Sequence, residues 1–208
     1  MYSQLDEDEI ILKFYEELKN KYPQFLSNKI LDIGANDGET ISNSRALIVK
    51  YPDITGYFIE PNPACYKKLS LLYPENHMLF NFAIGDIDGI SKMYCNGSHL
   101  SSNDSGLLST ILEKETKRWG DEKWEIIDVY VKKYPFIDIN FDFISMDTEG
   151  MDEIVLPYIN LEKTWIVCIE WNSEPEREIF FSDYCKKYSL ELIHKNSINL
   201  IYAKYPSY

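Results

Sequence analysis

The sequence predicts an α/β fold with a mostly parallel sheet covered by helices on both faces. Two observations over its 208 residues predict it. Short buried apolar runs alternate with amphipathic helical stretches, the order that builds parallel sheets. The last two runs, Leu190 to His194 and Ile198 to Ala203, flank Lys195-Asn196-Ser197 and read as a closing antiparallel hairpin.

The elements follow in order. Ile10, Ile11, Phe14, Tyr15, Leu18 and Tyr22 recur at helical spacing behind the acids Asp6 to Glu9, which suit the positive end of a helix dipole, and Pro23 ends this first helix. Lys29 to Gly34 is a short buried strand, followed by a polar turn and a helix expected over Glu39 to Lys50. Gly56 to Glu60 repeats the strand, and Pro61 with Pro63 ends it and opens a helix through Leu72. Met78 to Ile84 reads as a third strand. Asp86-Ile-Asp-Gly89 reads as a tight turn into a strand over Ile90 to Cys95. A polar loop from Asn96 to Ser109 exceeds the length of a simple connection. Strand character returns at Ile126 to Val131 and at Phe141 to Met146. A helix over Gly150 to Ile159, a strand over Thr164 to Ile169 and a helix over Glu174 to Tyr188 lead to the hairpin.

No composition break or repeat interrupts the chain, so a single domain over 1–208 is expected, with residues 1–28 as an N-terminal helical extension. Its 45% apolar and 14% aromatic residues supply a core that needs no disulfide. Cys65, Cys95, Cys168 and Cys185 form no CxxC pair and read as reduced thiols. Acids outnumber bases 34 to 21, a net charge of −13 that repels phosphate backbones and anionic membranes. Lys114, Lys117, Arg118 and Lys123 form the densest basic cluster, but acids interleave with it and it reads as a solvated helix face. Nucleic acid and membrane are therefore not expected partners. The acidic start lacks the features of a signal peptide and no apolar run is long enough to span a membrane, so a soluble cytoplasmic protein is expected.

In open α/β sheets ligands bind beyond the carboxyl ends of the strands. Here those ends are Asp32-Ile33-Gly34-Ala35-Asn36-Asp37-Gly38, then Glu60, Ala83-Ile84-Gly85-Asp86, Asp147 and Glu170. Gly34 and Gly38 permit a tight turn and close approach of backbone to a ligand. Asp32, Asp37 and Glu39 crowd that turn with negative charge, which repels a pyrophosphate but accommodates a ligand with a cationic amine and sulfonium. Glu60 suits a carboxylate accepting both hydroxyls of an adenosine ribose.

Together, Asp32-Ile-Gly-Ala-Asn-Asp-Gly38, Glu60-Pro-Asn-Pro63, Ala83-Ile-Gly-Asp86 with Gly89, and Asp147-Thr-Glu-Gly150 resemble the successive motifs of the FkbM-type S-adenosylmethionine-dependent methyltransferases, over about residues 29 to 171. The resemblance implies the class I methyltransferase (Rossmann-like) fold, a seven-stranded sheet ordered 3-2-1-4-5-7-6 whose last strand is antiparallel. It implies S-adenosylmethionine as cofactor, with Asp32, Gly34, Ala35, Asn36, Asp37 and Gly38 at the methionine part, Glu60 with Pro61 and Asn62 at the ribose, and Ala83 and Ile84 at the adenine. Family members typically methylate hydroxyls of sugars or secondary metabolites. Ser145-Met146 departs from the Lys-Ile the family often carries before the equivalent of Asp147.

A sugar hydroxyl is a poor nucleophile and needs a base or a metal to take up its proton. Asp147 is the best placed acid. Glu149 is the second candidate, to orient Asp147 or bind the acceptor. With Glu170 they would offer oxygen ligands to Mg²⁺, although the sequence shows no clear ligand set and no metal is assigned. Glu170 and Asn172 are expected on the acceptor side, and His99 is an alternative base in a loop that reads as a lid. The expected activity is methyl transfer to the hydroxyl of a glycan or activated sugar. Its alternatives are an RNA or small-metabolite methyltransferase on the same fold, and a cofactor-binding module without catalysis.

Overall fold

The computed structural model describes residues 2–73, 75–96, 107–119 and 123–206. Its centre is a seven-stranded sheet built from β1 (Lys29–Ile33), β2 (Thr55–Ile59), β3 (Met78–Phe80), β7 (Phe143–Met146), β8 (Ile166–Glu170), β9 (Glu191–Lys195) and β10 (Asn199–Ala203), in the spatial order β3-β2-β1-β7-β8-β10-β9. Numbered within this sheet alone, that is 3-2-1-4-5-7-6. All pairs are parallel except those of β10, which runs antiparallel to β8 and to β9. The α/β class and the closing hairpin expected from the sequence are therefore present.

Alternation along each central strand divides the core in two. Leu31 and Ile33, Ile144 and Met146, and Val167 and Ile169 point to one face. It is covered by α5 (Asp152–Val155), the turn of 3₁₀ helix after it, and Phe181, Tyr184 and Cys185 of α6 (Pro175–Lys186). Ile30, Phe143, Ile166 and Cys168 point to the other. There Ile11, Tyr15 and Leu18 of α1 (Glu7–Lys21) pack beside Leu47 of α2 (Arg45–Lys50) and Leu69 of α3 (Pro63–Leu72). The helix before residue 29 is thus part of the core. Its start is tied to the hairpin at the far end of the chain: Asn196 and Asn199 donate to Glu7 Oε1, each at 2.8 Å, and His194 Nε2 lies 2.9 Å from Asp6.

Two expectations change. The stretch from Glu39 to Lys50 is helical only from Arg45, because side chains occupy the backbone groups a first turn needs. Asp37 Oδ1 accepts the amides of Glu39 and Thr40, Ser42 Oγ accepts that of Arg45, and Ile41 takes a left-handed φ of 55°. The strand expected over Met78 to Ile84 breaks at Asn81, whose amide group donates to the carbonyls of Glu60 and Pro61. Beyond the break, β4 (Ala83–Ile84) joins a second, three-stranded sheet with β5 (Gly89–Cys95) and β6 (Glu125–Lys132). Among the described residues no helix is long and apolar enough to cross a membrane.

Candidate functional site

The carboxyl ends of β1, β2 and β7 open onto one cavity, roofed on one side by β4 and β5 of the small sheet. Counted out to its mouth it holds about 880 Å³, within the usual range for small-molecule sites. Its floor depends on a close approach that only glycine permits. Gly34 has φ +86°, its amide and that of Ala35 both donate to the Ile59 carbonyl, and a Cβ there would lie 1.7 Å from the Asp147 carbonyl oxygen. The Asp147 amide in turn donates to Ile33 O at 3.0 Å. The ends of β1, β2 and β7 are thereby locked side by side.

Of the residues singled out in the sequence, Asp32, Gly34, Ala35, Asn36, Glu60, Pro61, Ala83, Ile84, Asp147 and Glu149 all line this cavity. Glu60 is 6% exposed, and its two carboxylate oxygens accept the amides of Asn36 at 2.8 Å and Asn62 at 2.7 Å. Burial pushes its pKa up to about 7; the two amides oppose the shift, and the charges of Asp32 and Asp37 add to it. Asp32 accepts from the hydroxyls of Ser44 and Ser145, yet burial still pushes it up to about 6.

Three others take structural positions outside the cavity lining. Asp37 uses both oxygens on Glu39 and Thr40 in its own turn. Gly38 packs under α3, where a Cβ would meet Leu69 Cδ1 at 2.6 Å. Asn62 caps α3 by accepting the Ala64 amide. His99 lies outside the described residues, as do residues 97–106 of the loop read as a lid; Leu107 and Ser109 of that loop line the cavity. Trp171, an obvious aromatic for stacking on an acceptor, is buried, donates its ring N–H to Asn196 O at 2.8 Å and carries Lys195 over its face.

At the β7 and β8 ends the acids converge. A positive φ of 50° at Glu149 turns the chain back, and Thr110 Oγ1 holds the Glu149 carbonyl at 2.8 Å. Asp147, Glu149 and Glu170 each bring a carboxylate oxygen within 4.8 Å of the others. Asp147 and Glu149 are half-buried and face the cavity, whereas Glu170 is 5% exposed and lies behind its lining, with half-buried Asn172 next along the chain but one. All three carboxyls are held well above the usual carboxylate range, by burial first and then by one another's charge and that of Asp152.

Sequence reasoning missed three contributors. Arg177 of α6 and Asp152 of α5 form a buried ion pair at 2.8 Å behind the acids. Asn43, from the segment expected to be helical, lines the cavity at 7% exposure, and its Oδ1 has no hydrogen-bond partner among the described residues. A buried acceptor of this kind is costly unless a donor meets it. An acidic, glycine-floored cavity with an orphaned acceptor and a strand-end carboxylate fits a ligand carrying a ribose diol and a cationic amine and sulfonium, as S-adenosylmethionine does.

No curated protein matches this chain. Among solved structures it is similar to a putative RNA methyltransferase from Pyrococcus horikoshii, at 10% identity over 91% of this chain and 79% of that one, with a TM-score of 0.45. It is also similar to a precorrin-6y C5,15-methyltransferase from Geobacter metallireducens, at 10% identity over 88% of this chain and 87% of that one, with a TM-score of 0.44. Residues 32–191 match the family described as the methyltransferase FkbM domain, a span that runs from the first strand-end motif into the closing hairpin. The chain belongs to the FkbM methyltransferase domain family.

Proposed function

We propose that this methyltransferase uses S-adenosylmethionine to methylate a hydroxyl of a sugar, in a glycan or an activated sugar. The observation that carries the reading is the group of carboxylates Asp147, Glu149 and Glu170 at one end of the cavity. Carboxylates accept hydrogen bonds from neutral polyols and repel phosphate backbones. The net charge of −13 acts in the same direction.

Bound in the cavity, S-adenosylmethionine supplies a sulfonium methyl that an incoming oxygen can take in line while the electron pair of the C–S bond leaves with sulfur. Glu60 accepts the ribose hydroxyls, and the Asn36 and Asn62 amides hold its carboxylate in place for that task. Asn43 Oδ1 and Asp32, both on the cavity lining, would hold the cationic amine. Asp147, half-buried on the cavity wall, accepts the proton of the acceptor hydroxyl. Its raised pKa makes it a stronger base than an ordinary aspartate once ionised. Glu149 orients the acceptor beside it. Alignment of acceptor oxygen and methyl supplies much of the acceleration.

The test is incubation of the chain with S-adenosylmethionine labelled in the methyl group and panels of oligosaccharides and activated sugars, read by mass spectrometry. Label on a sugar oxygen is the expected result. Label found only on RNA or a non-sugar metabolite, or cofactor binding with no transfer to any acceptor, overturns the sugar assignment.

A further inference from the structure

We propose that Asp147, Glu149 and Glu170 hold a divalent cation of the size and hardness of Mg²⁺ at the acceptor end of the cavity. Their three carboxylate oxygens lie within 4.8 Å of one another. Oxygens bound to one Mg²⁺ at its usual bond length stand about 3.0 Å apart when adjacent and about 4.2 Å apart when opposite, so the three carboxylates reach one ion by drawing inward. Purely oxygen donors select a hard cation over zinc or copper.

A second observation singles out this cluster from an ordinary acidic surface. Glu170 is 5% exposed, and its Oε2 is buried with no hydrogen-bond partner among the described residues. A buried carboxylate oxygen without a donor needs a cation or a proton in front of it. The charges of Arg177 and Arg118 reach these acids, but each arginine also pairs with another carboxylate. Arg177 gives Nη2 to Asp152 at 2.8 Å, and Arg118 pairs with Glu174 at 3.3 Å and Glu115 at 4.0 Å. The ion would sit between Glu170, behind the cavity lining, and Asp147 and Glu149, on its wall. Its remaining positions would face the cavity, where an acceptor hydroxyl can enter and have its pKa lowered. This role rests on the methyl-transfer reading; the site itself does not.

The experiment titrates Mn²⁺ into the full chain and follows free Mn²⁺ by electron paramagnetic resonance, with Mg²⁺ as competitor. In parallel, calorimetry measures binding of S-adenosylhomocysteine. The expected result is saturable binding of one Mn²⁺ per chain, displaced by Mg²⁺. Glu170→Gln should weaken it about tenfold or more, as removal of one of three charged ligands does, while binding of S-adenosylhomocysteine stays unchanged because Glu170 does not line the cavity. Should Glu170→Gln fail to fold, Glu149→Gln at a half-buried position is expected to give the same loss of Mn²⁺. No saturable binding in the wild type, or binding unchanged in both variants, overturns the cation site and leaves protons as the resolution of the cluster. Failure of the wild type to bind S-adenosylhomocysteine would count against the methyltransferase reading and leave the Mn²⁺ result standing.

Discussion

Replacing Glu60 by Ala removes a charged acceptor from the place assigned to the ribose. Hydrogen bonds to charged groups contribute about 1.5–3 kcal/mol, and each 1.4 kcal/mol is about a factor of ten in affinity. The dissociation constant for S-adenosylhomocysteine should therefore rise about tenfold to a hundredfold. The same change strips the acceptor from the Asn36 and Asn62 amides, which Glu60 holds at 2.8 and 2.7 Å. A buried amide left without a partner costs about 1–3 kcal/mol, and in a chain of this size each kcal/mol lowers Tm by about 2–4 °C. Glu60→Gln separates the two effects, since it keeps an acceptor oxygen and the shape but not the charge: the loss of affinity should persist with a smaller loss of Tm. Because the Glu60 pKa lies at about 7 in the free chain and the ribose favours its ionised form, affinity should weaken as pH falls from 7.5 to 6, and this slope should flatten in Glu60→Gln. Calorimetry across pH, with a thermal melt to verify folding, measures all of this. Unchanged affinity in a folded Glu60→Ala chain would place the adenosine elsewhere and refute the reasoning.

Three further outcomes are expected. Asp147→Asn should retain cofactor affinity by calorimetry and lose about 10²–10⁴ in methyl-transfer rate; full activity would move the proton acceptor to another group. Asp32 and Glu60 sit at about 6 and about 7, above their ordinary values, so between about pH 4 and 7 the folded chain binds more protons than the unfolded one. The stability they contribute is complete below that window and lost as pH rises through it, so the ligand-free chain should melt higher at pH 5 than at pH 8, and the opposite order would contradict the raised values. Gly34→Ala combines a φ of +86° with a Cβ 1.7 Å from the Asp147 carbonyl; it should destabilise by more than about 1–3 kcal/mol in urea unfolding, and a variant as stable as the wild type would mean that the β1 and β7 ends are not locked together there.

What the sequence determined by itself was local. The runs Lys29–Ile33, Thr55–Ile59 and Ile166–Glu170 are mostly apolar, and a glycine or an acid ends or directly follows each, so strand positions and strand-end residues could be read from periodicity and breakers alone. Helix α3 runs over Pro63–Leu72 as expected, because Pro63 and the Asn62 cap act within a few residues of the helix start. The tertiary structure decided what depends on distant partners. Asn81 hooks the Glu60 and Pro61 carbonyls and sends the chain into a second sheet, a break invisible in the apolar pattern around it. Asp37 and Asn62 look like ligand residues in a motif, yet the backbone amides beside them claim their oxygens first. Asn43 reaches the cavity only because the segment before Arg45 is not helical. The acid cluster exists because β7 and β8 are parallel neighbours in register, Met146 beside Ile169, which carries the residues following β7 and the end of β8 to the same edge of the sheet. The strand-end rule already grouped Asp147, Glu149 and Glu170 in the sequence, but local periodicity carries no record of which helices pack behind a sheet edge, so the buried Arg177–Asp152 pair behind them was decided by the tertiary structure.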